Sequence, residues 1–181
     1  MGPVLPARLQ LRDGRSVWVR EIEPEDKDGL QAAVGNMSVQ SRYMRFMATV
    51  KAISEPMLEK ATHPVPDREF ALVAVNDEGG AESIVAGARY ASDAGSDTCE
   101  FAIMVVDDWQ GQGLAPRLME TLMEAAEAHG FHVMEGSVLT ANASMRGLAR
   151  RLGFEDKADP RDATVRVVSR VLGSGRATAG G

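Results

Sequence analysis

Three strand-like runs lie close together in the middle of the 181-residue chain and restrict its fold more than any other feature. They are Phe70–Val75, Ile84–Tyr90 and Cys99–Val106, which are rich in apolar and β-branched residues. The segments between them, 76–80 and 92–97, are short and contain mostly Gly, Asn, Asp and Ser, which favour turns. Such short connections join antiparallel neighbours, because a parallel pair needs a crossover of a dozen or more residues. The sequence therefore predicts an antiparallel meander at the centre of the fold.

Further elements precede this meander. The alternating, β-branched run Val17–Ile22 predicts a strand. Helices are expected after Pro24, after Ser38 as an N-cap, and over residues 54–62.

An amphipathic helix is predicted directly after the meander. Its apolar positions recur every four residues, at Leu114, Leu118, Leu122 and Ala126, and Gly130 is expected just beyond its end. A strand at 131–138, a helix at 143–151 and a strand at 164–168 complete the series. The chain is therefore expected to form an α+β (mixed α/β) domain, with a largely antiparallel sheet flanked by helices.

The composition is typical of a folded domain and excludes several partners. Hydrophobic residues make up 44% of the chain and charged residues 25%, which is enough to form a core. A formal net charge of −6 gives no basic footprint for nucleic acid. The longest apolar run, Phe101–Val106, is far shorter than the ~20 residues that span a bilayer, and the N-terminus has no secretory pattern. We therefore expect a cytoplasmic protein with no nucleic-acid or membrane partner.

Three regions are expected along the chain. Residues 1–15 contain two prolines and no hydrophobic period, so they are predicted to be an N-terminal extension. Residues 16–171 are predicted to form the folded domain, and the glycine-rich residues 172–181 a flexible tail. No metal site is expected, since the chain has one cysteine, Cys99, and three scattered histidines.

A glycine-containing loop carries the clearest chemical signal. Gln110–Ala115 joins a predicted strand end to the start of a predicted helix. A helix N-terminus leaves backbone N–H groups unpaired and carries partial positive charge, so it attracts anions. Gly111 and Gly113 let the backbone approach a phosphate without a Cβ in the way, and Pro116 fits the first helical turn. The loop therefore predicts a phosphate-binding site.

Two other interpretations of this loop are open at the sequence level. One is a tight strand-to-helix turn that holds no ligand. The other is a dinucleotide-binding fingerprint, which Gly111-x-Gly113-x-x-Pro116 imitates, with Glu135 about twenty residues further on. Against the fingerprint, proline replaces its third glycine, the motif follows an antiparallel meander, and too little chain remains for a second nucleotide-binding half.

Two motifs together resemble the GNAT N-acetyltransferase superfamily. Gln110-x-x-Gly113-x-Ala115 is similar to the acetyl-CoA pyrophosphate loop of that family, Gln/Arg-x-x-Gly-x-Gly/Ala. About thirty residues further on, the run from Asn142 to Phe154 resembles its second cofactor motif. The resemblance spans roughly residues 17–170 and implies the GNAT fold, with acetyl-CoA as co-substrate.

A narrower resemblance is to the acetyltransferase domain of bacterial Pat-type protein lysine acetyltransferases. It rests on the segments Ser41–Phe46 and Arg68–Val75. It implies that Glu100, on the strand before the loop, is the general base, and the apolar neighbours of Glu100 predict a partly desolvated carboxylate. Arg42 and Arg45 are interpreted as scaffold, the alternative being contact with a phosphate or with an acidic edge of the substrate.

The family resemblance also implies the contacts with acetyl-CoA. The pantetheine arm is expected along the backbone of residues 104–106, and the N–H of Val105 is predicted to support the oxyanion of the tetrahedral intermediate. Asn142 is expected to hold the pantetheine from the other side while it caps the following helix. The predicted cofactor-binding set is Met104, Val105, Val106, Gln110, Gly111, Gln112, Gly113, Leu114, Ala115, Pro116, Asn142 and Met145.

The sequence departs from the family at one position and leaves the acceptor open. Many GNAT enzymes place a tyrosine seven residues after the motif asparagine to protonate the departing thiolate, but this chain has Ala149. The expected reaction is direct transfer from acetyl-CoA to a primary amine without a covalent intermediate, in a monomer or homodimer. A protein lysine is the preferred acceptor, as in Pat-type enzymes. A small amine acceptor and a non-catalytic acetyl-CoA sensor are the alternatives.

Overall fold

The computed structural model describes residues 2–173, in which eight strands form one sheet and five α-helices flank it. The strands are β1 Ala7–Gln10, β2 Ser16–Glu21, β3 Glu69–Asn76, β4 Ser83–Ala91, β5 Thr98–Val105, β6 Val133–Leu139, β7 Glu155–Asp159 and β8 Asp162–Val171. The helices are α1 Lys27–Gly35, α2 Val39–Phe46, α3 Glu55–Thr62, α4 Leu114–Ala128 and α5 Ala143–Arg151. None of the described helices has the length and hydropathy needed to cross a membrane.

The sheet order confirms the predicted meander and the largely antiparallel fold. The strands lie in the order β1-β2-β3-β4-β5-β6-β8-β7, and every neighbouring pair is antiparallel except β5 with β6. The dinucleotide-binding interpretation is wrong, because that fold needs a parallel sheet built from repeated crossovers. Only β5-α4-β6 forms such a crossover among the described residues.

The parallel pair opens the sheet at one point. Thr98–Glu100 of β5 pairs with Val133–Glu135 of β6, and the ladder stops there. The rest of β5, Phe101–Val105, remains paired with β4 on its other side but has no ladder to β6. Helix α4 begins shortly after this open edge ends.

The helices cover both faces of the sheet. The apolar stripe of α4 is buried as predicted, and α4 contacts β3, β4 and β5 on the face that carries Tyr90, whose hydroxyl lies 3.3 Å from His129 Nδ1. Helix α1 lies on the other face, where Gly29 packs against Ile84. Gly130 follows the C-cap of α4 with φ +86°, which confirms its predicted position.

Both ends of the chain differ from the expectation. Ala7–Gln10, within the predicted extension, forms an edge strand paired with β2, although it is too short to show a period. Leu172, the first residue of the predicted tail, is buried, and its N–H donates to His132 O at 2.6 Å. Residues 174–181 of that tail lie outside the described residues. Strand β7 was not predicted, because four of its five residues are charged and show no hydrophobic pattern. Charged residues are common in strands at sheet edges.

Candidate active site

A cleft of about 830 Å³ lies along the open edge of β5. The glycine loop, the start of α5 and part of α2 form its other walls. Most of the predicted site residues line it together: Glu100, Met104, Val105, Gln110, Gly111, Gly113, Leu114, Ala115, Pro116, Asn142 and Met145. Gln112 and Val106 do not.

The glycine loop has the geometry of an anion site. Gly111 and Gly113 have φ angles of +75° and +86°, in the left-handed region that glycine adopts without strain, and Gly113 is the N-cap of α4. The N–H groups of Leu114 and Ala115 have no acceptor within the helix, and Pro116 has no N–H to offer. A Cβ built on Gly111 meets nothing within 4 Å, so the loop backbone is open to an approaching group. These donors and the helix dipole fit a diphosphate.

Gln110 holds this loop in place instead of facing the anion. Its side-chain nitrogen donates to Val105 O at 2.9 Å and to Ser41 Oγ at 3.3 Å, and its backbone N–H donates to Asp107 O. Asp107 in turn accepts the Ser38 N–H at 2.9 Å and the Ser41 hydroxyl at 3.0 Å. Burial alone would raise the pKa of Asp107, but these bonds outweigh it and hold the pKa below its usual value. The loop, β5 and the start of α2 are thereby tied together.

The backbone of β5 alternates in direction, which corrects part of the predicted pantetheine site. Val106 N–H donates to Val85 O at 2.9 Å, so by antiparallel alternation the N–H groups of Met104 and Val106 face β4. The N–H groups of Ile103 and Val105 face the cleft. The Val105 N–H therefore faces the cleft, as its predicted role requires, whereas the N–H groups of Met104 and Val106 do not. Ile103, whose N–H also faces the cleft, was not among the predicted residues.

Glu100 stands where the β5–β6 ladder ends. It pairs in register with Ala91 of β4 and Glu135 of β6, and its side chain lines the cleft. The side chain is exposed, so the predicted partial desolvation is wrong. Its apolar sequence neighbours do not enclose it, because the cleft opens to solvent at this point.

The second predicted motif forms the facing wall. Asn142 Oδ1 accepts the Met145 N–H at 3.1 Å and so caps α5, which leaves the NH2 group of the Asn142 amide as a donor. Ala149 is fully buried and provides no acid. The hydroxyl-bearing residues Ser137 and Ser144 line the cleft nearby.

Comparison with known proteins decides the family. Residues 38–154 match the acetyltransferase (GNAT) family. The chain belongs to the GNAT family. It is 34% identical over 154 residues to an acetyltransferase of Pseudomonas aeruginosa, over 85% of this chain and 83% of that protein. The family uses acetyl-CoA, so this GNAT chain is an acetyl-CoA-dependent N-acetyltransferase.

Two further comparisons involve acetyltransferases with different names. The crystal structure of the GNAT domain of S. lividans PAT matches with a TM-score of 0.83 and 28% identity, over 92% of this chain and 96% of that one. A shorter stretch of 58 residues is 47% identical to an L-methionine sulfoximine/L-methionine sulfone acetyltransferase of Pseudomonas paraeruginosa. That stretch covers 32% of this chain and 34% of that enzyme.

The β1–β2 turn supports the glycine loop of this GNAT domain, which the sequence did not reveal. Arg12 N–H donates to Gln112 O at 3.2 Å, and the Arg12 guanidinium lies next to Gly113 and lines the cleft. The Arg15 guanidinium stacks on Trp109, 3.7 Å from the ring centroid. Residues 1–15 show no hydrophobic period, so nothing in the local sequence predicted that the Arg12 side chain lies beside the anion site.

Gly136 fixes the separation of β5 and β6 at the base of the GNAT cleft. A Cβ at this position would lie 2.6 Å from the Phe101 ring, which also packs edge-on against Phe154 at 5.6 Å between centroids. Only glycine leaves room for that ring. The residue carries no sequence signal, since its role depends on the partner strand.

The α5 wall is held by a buried carboxylate. Asp156 accepts from Arg146 Nε at 2.8 Å and from Arg166 Nε at 2.6 Å, which joins α5 to β7 and β8. These bonds, above all the one from Arg146, hold the pKa of Asp156 below its usual value.

Nucleophilic and metal chemistry have little support at this GNAT site. Cys99 is fully buried, and burial raises the pKa of its thiol to about 12. Within residues 2–173, no three or more His, Cys, Asp or Glu side chains group as metal ligands.

Proposed function

We propose that this GNAT enzyme acetylates lysine side chains of proteins, with Glu100 as the general base. The observation that carries the proposal is that one cleft brings together Glu100, the outward N–H of Val105 and the glycine loop. The similarity to the GNAT domain of S. lividans PAT supports a protein lysine as the acceptor.

Acetyl-CoA binding is divided among three groups of donors. The N–H groups of Gly111–Ala115 bind the diphosphate, and the Arg12 guanidinium adds positive charge beside them. The pantetheine arm pairs with the open edge of β5 at Ile103, and the Val105 N–H beside it is left for the oxyanion. The amide nitrogen of Asn142 donates from the opposite wall.

The chemistry starts from an unreactive ammonium, since a free lysine has a pKa of about 10.4. Glu100 takes the proton directly or through a water molecule, and its exposure suits a relay through water. The amine nitrogen attacks the thioester carbonyl and forms the C–N bond while the Val105 N–H donates to the developing oxyanion. The C–S bond then breaks, the nitrogen loses its second proton to solvent to give the neutral amide, and the thiolate takes a proton from solvent because Ala149 has none to give.

A small-molecule amine is the second candidate acceptor. It is favoured by the local similarity to the methionine sulfoximine and methionine sulfone acetyltransferase. It is also favoured by a second, largely apolar cavity of about 390 Å³ beside the cleft.

The first experiment measures acetyl-CoA binding by calorimetry and coenzyme A release with lysine peptides, whole proteins and small amines. Binding with release on lysine substrates is the expected result. Release on small amines alone would move the function to the second candidate. Binding without release on any acceptor would favour a sensor, and absence of binding would overturn the assignment of the Gly111–Ala115 loop.

The role of Glu100 is tested by Glu100→Gln, with Glu135→Gln as the matched control on the neighbouring strand. Removing a general base is expected to lower kcat by about 10²- to 10⁴-fold while the Kd for acetyl-CoA stays unchanged. Glu135→Gln should leave kcat near the wild-type value, because Glu135 lies in register with Glu100 but outside the cleft lining. Equal losses in the two variants, or loss of acetyl-CoA binding in Glu100→Gln, would contradict the assignment.

A further inference from the structure

A second cavity of about 390 Å³ lies between the sheet and helices α1–α3. It shares Arg45, Phe46, Ala102 and Met104 with the cleft, so the two spaces are adjacent. Its lining is mostly apolar, and its charged members are Arg45, Lys60, Glu69 and Arg89.

Arg45 lies near the end of α2 and has no anionic partner. Its guanidinium stacks on Phe46, 4.7 Å from the ring centroid, and within residues 2–173 no group accepts a hydrogen bond from it. By contrast, Arg20, Arg146 and Arg166 donate to carboxylates at 2.6 to 2.9 Å. Burial, together with the positive charge of Arg89, lowers the pKa of Arg45 to about 10, so the side chain is still charged at neutral pH.

Arg89 on β4 is only loosely neutralised. Its nearest carboxylate oxygen, Glu69 Oε2, lies 3.7 Å from Nη2, beyond hydrogen-bond distance. The other oxygen of Glu69 accepts the Val65 N–H at 2.9 Å. Two guanidinium groups therefore line one cavity, and only that of Arg89 has a carboxylate near it, in a chain whose net charge is −6.

The sheet register places Arg89 near the predicted base, Glu100. Arg89 pairs with Ala102, and Ala91 pairs with Glu100, so the side chains of Arg89 and Glu100 project from the same face as diagonal neighbours. Such diagonal neighbours are typically ~7–8 Å apart, and their Cβ atoms lie somewhat closer. A compact molecule bound at Arg89 therefore lies within reach of Glu100.

We propose that Arg45 and Arg89 bind a carboxylate of the acceptor, close to the amine that is acetylated. The inference rests on the proposed acetyltransferase function and names the chemistry of the acceptor. Paired guanidinium groups recognise carboxylates by charge-assisted hydrogen bonds, and the apolar walls accommodate the rest of the acceptor. The carboxylate belongs either to a free amino acid or to an acidic residue beside an acceptor lysine.

The test compares acceptors that differ only in the carboxylate. One arm pairs free amino acids with their amides, and the other pairs lysine peptides that carry Glu or Gln next to the lysine. The wild-type chain is expected to prefer the carboxylate member by about 10- to 100-fold in kcat/KM, the range of charge-assisted hydrogen bonds. The arm that shows the preference identifies the source of the carboxylate.

Arg45→Gln and Arg89→Gln should each reduce this preference to near one while the Kd for acetyl-CoA is unchanged. Arg8→Gln is the matched control, because Arg8 also stacks on an aromatic ring, Trp18, but lies on the exposed edge strand β1. It should keep the full preference. Arg45→Lys retains the charge and provides a second variant if Arg45→Gln does not fold.

The proposal is overturned if the wild-type chain does not prefer the carboxylate acceptor. It is also overturned if the arginine variants keep that preference, or if they lose activity equally toward the carboxylate and the amide acceptor. If none of the tested amines makes the wild type release coenzyme A, the proposed function fails. The arginine site is then tested by calorimetry with the same free amino acids and amides in the presence of coenzyme A. Binding of the acids alone, abolished in Arg45→Gln, supports the site, and equal binding of acids and amides, or none, overturns it.

Discussion

The cofactor half of the cleft and its acceptor half present different chemical groups to their ligands. The cofactor half, formed by Gly111–Ala115, the β5 edge and the start of α5, offers mainly backbone N–H groups fixed by turns, caps and strand alternation. The acceptor half, formed by α1–α3 and the sheet beneath them, offers the side chains of Arg45 and Arg89. Backbone donors suit the diphosphate and amide groups common to every acyl-CoA, whereas side chains can be exchanged without changing the fold. If Arg45 and Arg89 bind the acceptor as proposed, the acceptor half is where this enzyme sets its specificity.

Each half is also anchored by its own buried carboxylate. Asp156 joins α5 to β7 and β8 through Arg146 and Arg166. On the acceptor side, Asp26 before α1 accepts from both terminal nitrogens of Arg20 on β2, at 2.8 and 2.9 Å. The two anchors share no residue, so the halves should be separable by mutation.

The largest effect is expected where the halves meet, in Gly136→Ala. The new Cβ would lie 2.6 Å from the Phe101 ring, and such overpacking costs ~1–3 kcal/mol. Each kcal/mol lowers the Tm of a domain of this size by about 2–4 °C. Because the displaced ring lies on β5, both the Kd for acetyl-CoA and the KM for the acceptor should rise, as measured by calorimetry and steady-state kinetics.

The clash is checked by the double variant Gly136→Ala with Phe101→Leu. The atoms nearest the new Cβ are all ring atoms, so the smaller leucine should make the alanine less costly than it is beside phenylalanine. Strictly additive losses of stability would show that the Phe101 ring is not the obstacle.

Asp156→Asn and Asp26→Asn are expected to act on opposite halves. Each leaves half-buried arginine donors imperfectly paired, which costs about 1 kcal/mol or more of unfolding free energy. Asp156→Asn should raise the KM for acetyl-CoA more than that for the acceptor, because α5 carries Asn142 at its start. Asp26→Asn should do the reverse. Identical kinetic profiles for the two variants would show that the halves are not independent.

The pH dependence of stability provides a further check on both anchors. The bonds from Arg146 and Arg166 lower the pKa of Asp156. Burial raises the pKa of Asp26, but the bonds from Arg20 and the Glu23 N–H outweigh burial and lower that pKa overall. A carboxyl with a depressed folded-state pKa stabilises the fold above its unfolded pKa of about 3.9, and loses that contribution as pH falls through the folded value. The difference in Tm between the wild type and either Asp→Asn variant should therefore be largest at neutral pH and should decrease below about pH 4.

The same division explains what the sequence could reveal. The glycine loop is a local feature that its own residues predicted, and the period of Leu114, Leu118 and Leu122 predicted α4. Asn142 also lies in a local motif, which the family resemblance marked. Arg89 and Gly136 gain their roles from neighbours on other strands, and no local pattern marks them. On β5, the sequence predicted the end of the strand but not which backbone N–H groups point toward β4. Their direction depends on the pairing register with β4, which the sequence does not show.

The smallest and most selective effect is expected for Gly113→Ala. At φ +86° an alanine is strained by roughly 1–2 kcal/mol, and its Cβ would meet only the Arg12 side chain, at an ordinary 3.5 Å. Relief of this strain turns the loop N–H groups away from the diphosphate, so the Kd for acetyl-CoA should rise about 5- to 30-fold by calorimetry. The acceptor KM should not change.

Gly147→Ala is the matched control for this loop variant, since Gly147 lies in α5 with nothing within 4 Å of an added Cβ. That substitution should stabilise the helix by about 0.5–1 kcal/mol and leave the Kd for acetyl-CoA unchanged. If Gly113→Ala instead raised the acceptor KM and spared the Kd, the loop would serve the acceptor. Backbone and side-chain recognition would then not divide the cleft between its two ligands.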